Sequence, residues 1–175
     1  MQKKHPPVKI FVGIIFHPHN IQKLEKIKAY LKQSFGKIEY TSVLFDFKHT
    51  DYYENEFGQN LKKIFYFFHK LRDVSGLQKI KLLTNKLEKK FSEKQQRLFN
   101  IDPGYLTDSK IVLFTTKNYT HRLYIYNNIY AEVTLKYYKN SYQPWEWTYP
   151  DYKTGEYISI FNAIRNEYLS QISKS

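Results

Sequence analysis

The chain contains no cysteine. Disulfides and thiolate metal sites are therefore excluded. No apolar run approaches the roughly 20 residues that cross a bilayer as a helix. The N-terminal "MQKKHPPVKIFVGIIF" has the basic start and apolar run of a signal peptide, but the run is short and leads into His-Pro-His rather than a small-residue cleavage site. It reads as a first strand of a cytoplasmic protein. The short motifs of common chemistries are missing as well: no phosphate-binding Walker loop, no GxGxxG, no HExxH, no nucleophile elbow and no EF-hand loop. Repeats, low-complexity linkers and composition breaks are also lacking, so residues 1–175 read as one domain.

Acidic residues are scarce. Asp and Glu number 16 against 28 Lys and Arg, giving a formal net charge of +12. An excess of that sign points to an anionic partner, whether nucleic acid, nucleotide or phosphorylated metabolite. An AT-rich coding sequence would also inflate Lys, Asn, Ile, Phe and Tyr together, with no partner involved. The lysines are spread along the chain rather than gathered in a tail, which argues against a dedicated nucleic-acid arm. Hydrophobic residues make up 42%, a globular composition.

Periodicity gives the elements. "VKIFVGIIF" reads as a buried strand. Asn20 can cap a helix with Ile21, Leu24, Ile27, Leu31 and Phe35 at helical spacing, ended by Gly36. Residues 37–47 and 61–71 read as strands. Ser75 and Gln78 have capping-box spacing before a helix whose apolar face is Leu77, Ile80, Leu83, Leu87 and Phe91. "RLFNI" reads as a short strand ending at Asp102, because Pro103-Gly104 suits the centre of a type II turn. The order β-α-β-β-α-β predicts an α+β fold with a ferredoxin-like core. A C-terminal hairpin and a final helix with Tyr157, Phe161, Ile164 and Tyr168 on one side extend it. In the hairpin, Asn127-Asn128 suits a two-residue turn that pairs Tyr126 with Ile129 and Leu123 with Glu132. "SYQPWEWTYPDYKTGE" reads as an aromatic loop.

Polar residues gather at the ends of these elements. Asp51 follows the second strand; Lys81, Asn85 and Glu88 share a helix face; Asp102 ends a strand. Lys117, His121, Arg122 and Glu132 lie in or near the hairpin, and Asp151 lies in the late loop. Carboxylates with His, Lys and Arg suit acid–base chemistry or the holding of a phosphate with a divalent metal such as Mg²⁺. The bland reading gives each residue a local job: Lys81 and Glu88 on a solvated helix face, Asp102 in an Asx turn, His121 paired with Glu132 across the hairpin. His17 and His19 are spaced to point to one side, and two solvated loop histidines account for them.

Several segments together resemble the family known as domain of unknown function 4416. They are "FDFKHTDYYENEFG", "KLLTNKLE", "NIDPGYLTDSKIVLFTTKNYTHRLYI", "IYAEVTL" and "TYPDY". The family's polar groups fall on Asp51 to Tyr53; Thr84, Asn85 and Glu88; Asp102 to Tyr105; Lys117, His121 and Arg122; Glu132 and Thr134; and Tyr149 to Tyr152. His49 and Phe57 depart from the pattern. The resemblance implies a single-domain cytoplasmic protein and names no reaction, but motifs made of acids, bases and amides imply a shared polar pocket.

The expectation is an enzyme or binder acting on an anionic small molecule. Asp102, His121 and Glu132 are its candidate catalytic residues. Asp51, Lys81, Asn85, Lys117, Arg122 and Asp151 are its candidate ligand-binding residues. The alternatives are an RNA-binding module with a basic, Tyr-rich surface, binding weakly and salt-sensitively, and a non-catalytic partner-binding protein.

Overall fold

Val8–Phe16 forms strand β1, and all nine of its residues are buried. Burial on both faces is what a continuous apolar run dictates. The one charge in it, Lys9, is neutralised by Glu39. The computed structural model describes residues 5–48 and 53–174. It places β1 inside a nine-stranded sheet in which all pairs are antiparallel.

The remaining elements are α1 (Ile21–Phe35), β2 (Ile38–Thr41), β3 (Phe45–Asp46), the short α2 (Glu54–Phe57), β4 (Lys62–Arg72), α3 (Gln78–Lys90), β5 (Phe99–Leu106), β6 (Lys110–Thr115), β7 (Leu123–Tyr126), β8 (Ile129–Tyr138), β9 (Ser141–Pro144) and α4 (Gly155–Ile172). The sheet runs β2-β4-β1-β5-β6-β8-β7, with β3 added to β4 and β9 to β8. Residues of β1 alternate between two cores. Ile10, Val12 and Ile14 pack with Leu24, Ile27 and Leu31 of α1 and Leu87 of α3. Phe11 points the other way, to Phe65, Phe67 and the Tyr157, Phe161, Ile164 and Tyr168 face of α4. The result is an α+β structure of three layers, with α1 and α3 on one face of the sheet and α4 on the other.

Asp102 does not end a strand, and Pro103-Gly104 is not a turn. β5 runs straight through both residues to Leu106, pairing with β1 along its whole length. Two features of the sheet explain this. In an antiparallel ladder a residue's N–H and C=O both point to one neighbour, and residues two apart point the same way. The N–H and C=O of Ile101 point away from β1, to Glu88 and Lys81. Pro103 therefore points away from β1 too. Its missing N–H costs no rung there, and β6 pairs with β5 only from Gly104 onward. Gly104 answers a close approach: a Cβ there would collide with the Val112 carbonyl and come within 2.7 Å of the Phe11 ring.

Other local expectations are corrected similarly. Asn127 and Asn128 make the two-residue turn with φ of 46° and 57°, and Tyr126 faces Ile129, but Leu123 pairs with Ala131 rather than Glu132. A bulge at Ile125 absorbs one residue; all four β7 residues are exposed, so no buried face pins the register. The strand expected over residues 37–47 breaks into β2 and β3, where the Ser42 hydroxyl accepts the Phe65 N–H in place of a ladder bond. Ser75 caps nothing; its N–H donates to Asp73, and α3 begins after Leu77. Asn20 precedes α1 without a side-chain cap bond. Part of the expected aromatic loop is β9, which pairs with β8 across a second turn at Lys139-Asn140.

Candidate functional site

β5 and β6 are paired only over Gly104–Leu106. Before that point the two strands part, and the sheet opens. The backbone N–H and C=O of Ile101, which face the gap rather than β1, are satisfied by side chains of α3: the N–H donates to Glu88 Oε1 at 2.6 Å, and the C=O accepts from Lys81 Nζ at 2.9 Å. This explains why α3 turns Lys81, Thr84 and Glu88 inward, a polar stripe beside the apolar face that periodicity predicts. The reading of Lys81 and Glu88 as a solvated helix face is thus overturned.

The gap opens into a cavity of about 450 Å³, within the range of small-molecule sites. Its walls come from both sides of the sheet: Lys81, Asn85 and Glu88 from α3, Asn100 and Asp102 from β5, and Thr115 to Lys117 from the end of β6. Arg122, Glu132 and the stretch Tyr149 to Tyr152 close it, over Ile15 and Lys63.

Charge in the cavity is organised as ion pairs. Lys81 meets Asp102 Oδ1 at 3.2 Å, and Asn100 donates to the other Asp102 oxygen. Arg97 binds Glu56 with two parallel bonds of 2.6 and 2.7 Å and reaches Glu88 at 3.0 Å. The hydrogen bonds to Glu56 raise the Arg97 pKa further, so it is a permanent cation. Burial pushes the Glu88 carboxyl above the usual range, opposed by Lys81, the Ile101 N–H and Arg97. Glu132 Oε2 accepts from His121 Nε2 at 3.1 Å and Arg122 Nε at 2.8 Å, while Thr134 donates to Oε1. Arg122 also donates to the Lys117 carbonyl and the Tyr149 hydroxyl. Burial and then the Glu132 charge raise the Tyr149 hydroxyl's pKa, so it stays protonated.

The fourth pair is the most enclosed. Lys63 and Asp151 side chains are 3% and 5% exposed and bonded to each other. Lys63 Nζ lies 4.4 Å from the centre of the Tyr152 ring and 5.2 Å from that of Phe65, two cation–π contacts.

Of the residues singled out from the sequence, Lys81, Asn85, Asp102, Lys117, Arg122, Glu132 and Asp151 all line this one cavity. His121 does not line it; it stands behind Glu132, stacked on Trp147 at 5.3 Å and 15°. Asp51 lies outside the described residues. Sequence reasoning passed over Lys63, Arg97 and Asn100 as site residues, and Tyr152 entered only within the family's Tyr149 to Tyr152 group. Lys63 carried a signal: it is a lone charge sharing the strand face of Phe65 and Phe67. Among the described residues no three acidic or histidine groups converge as metal ligands.

These polar positions and the segments holding them fall within a matched region. The family described as Domain of unknown function (DUF4416) matches residues 6–168. The chain belongs to this family. The match spans every cavity residue of this DUF4416 protein, from Ile15 to Tyr152. Comparison with curated proteins and with solved structures finds no match. No helix among the described residues is long and apolar enough to cross a membrane.

Proposed function

We propose that this protein is a cytoplasmic binder of a small anionic molecule, a nucleotide or phosphorylated metabolite, held in the cavity between β5 and β6. The observation that carries the reading is the gathering of Lys81, Lys117 and Arg122 from three separate segments around one cavity of about 450 Å³. Asp102 and Glu132 fix Lys81 and Arg122 in place, and these two cations have more N–H groups than the hydrogen bonds to described residues use. Those spare donors are what an anion takes up, as charge-assisted bonds. Chemistry on the bound ligand fits the same geometry. Glu132 faces the cavity with His121 one hydrogen bond behind it to position it, and Glu132 and Asp102 are the candidate acid–base groups.

The strand order β2-β4-β1-β5, with antiparallel neighbours and α1 and α3 on one face, supports reading this part as a ferredoxin-like core. In that reading the hairpin strands and α4 extend the core and close the cavity.

The test is a thermal-shift screen of nucleotides, sugar phosphates and inorganic phosphate, each with Mg²⁺ and with a chelator. A ligand that binds only the folded state stabilises it by about 2.7 kcal/mol at a hundredfold excess over Kd. A concentration-dependent rise in Tm with an anionic compound supports the reading, and none across the panel contradicts it. RNA binding is the second reading. Exposed Tyr119, Tyr124, Tyr126 and Tyr138 all come from the stretch between β6 and β9, which also carries Lys136 and Lys139. Binding of single-stranded RNA that outlasts moderate salt would place it first.

A further inference from the structure

Buried polar groups in folded proteins have hydrogen-bond partners almost without exception, so the exceptions on a cavity wall show what is meant to enter. One occurs here, the Tyr152 hydroxyl, beside an ion pair whose hydrogen-bonding capacity is only part used. Tyr152 is 2% exposed and lines the cavity, and its hydroxyl has no partner. Asp151 lends Oδ2 to Lys63, while Oδ1 receives no hydrogen bond from any described residue. Lys63 makes that single hydrogen bond and rests its other donors against aromatic faces. By contrast, both oxygens of Asp102, Glu88 and Glu132 are occupied.

The open groups are an acceptor that carries negative charge, a neutral O–H and a cationic N–H. The fully ionised phosphate of an ester has no proton to donate to Asp151 and would be repelled by it. A ligand hydroxyl fits all three, since it donates once and accepts twice. We propose that the Lys63–Asp151–Tyr152 corner is a hydroxyl-recognition subsite and that the ligand is a phosphate ester bearing free sugar hydroxyls. This rests on the anion-binding reading above. The phosphate goes to Lys81, Lys117 and Arg122, and a hydroxyl donates to Asp151 Oδ1 while accepting from Tyr152 and Lys63. Burial first, then the Asp151 and Asp102 charges, raise the Tyr152 pKa well above its usual value, so its hydroxyl keeps its proton.

The experiment is calorimetric titration of the full chain with ribose 5-phosphate, AMP, 2′,3′-dideoxy-AMP and inorganic phosphate. It is run on wild type and on Tyr152→Phe, which removes only an unpartnered hydroxyl and leaves Tm near wild type. The subsite predicts that a hydroxylated ester binds wild type about tenfold tighter than inorganic phosphate or the dideoxy compound. In Tyr152→Phe that advantage shrinks while phosphate affinity holds. Ribose 5-phosphate and AMP separate a sugar phosphate from a ribonucleotide as its source. Anions that bind without preference for hydroxyls, or a preference that survives Tyr152→Phe, overturn the subsite and leave the anion reading standing. No binding by any probe overturns both.

Discussion

Glu88 joins the fold and the cavity through one side chain: one oxygen holds the Ile101 backbone, the other Arg97. Because burial raises its pKa, the folded state binds the Glu88 proton more tightly than the unfolded chain does. Stability from this group is then fully present below the ordinary glutamate value of 4.5 and is lost as pH rises through the raised folded value. Glu88→Gln cannot titrate, and its amide oxygen can still accept the Ile101 N–H. Tm of Glu88→Gln minus Tm of wild type should therefore climb as pH increases from 4.5. A difference that stays flat across the titration would contradict this. At the scale of single residues the sequence was informative about which polar groups meet: Lys81, Asn85, Asp102, Lys117, Arg122, Glu132 and Asp151 share one cavity. Lys63 was harder to see, because its one local signal, a lone charge on the Phe65 and Phe67 strand face, fits a lysine that snorkels from a strand edge as well as one sealed under aromatic rings.

At the scale of elements, β1, α1 and α4 follow from periodicity alone, since each buries the apolar residues that its spacing sets out, save Ile21 at the exposed start of α1. β5 does not. Pro-Gly is turn chemistry in a local reading, and only the neighbouring strands show why it is strand here. Pro103 points into the gap, and Gly104 lets the Val112 carbonyl and the Phe11 ring come close. Gly104→Ala should destabilise the protein by about 3 kcal/mol or more through overpacking against backbone, whereas Pro103→Ala should cost less, about 1 kcal/mol, because no ladder rung changes and only the new N–H facing the gap must find a partner. Denaturant midpoints of the two variants measure this; a larger loss at Pro103 than at Gly104 would return the segment to a turn. α3 was misread for a related reason. A helix that substitutes for a missing strand partner must present Lys81 and Glu88 inward, and hydrophobic periodicity has no term for that.

For the whole molecule, the parting of β5 from β6 ties fold to site. It lets α3 on one face of the sheet and the Tyr149 to Tyr152 stretch on the other supply walls to a single cavity. The bulk charge of +12 was a poor guide to this, since the lysines are spread and the cavity itself is close to neutral through its ion pairs. The binding potential lies in unused donors rather than in net charge. Asn85 offers the cleanest probe of that claim. It lines the cavity and makes no side-chain hydrogen bond to any described residue, so Asn85→Asp adds a negative charge there at nearly constant shape. Calorimetric titration of wild type and Asn85→Asp with the phosphorylated compound giving the largest thermal shift is the decisive measurement. The account predicts at least about a tenfold loss of affinity in Asn85→Asp, with Tm little changed; equal affinity in the two proteins would contradict an anion site in this cavity.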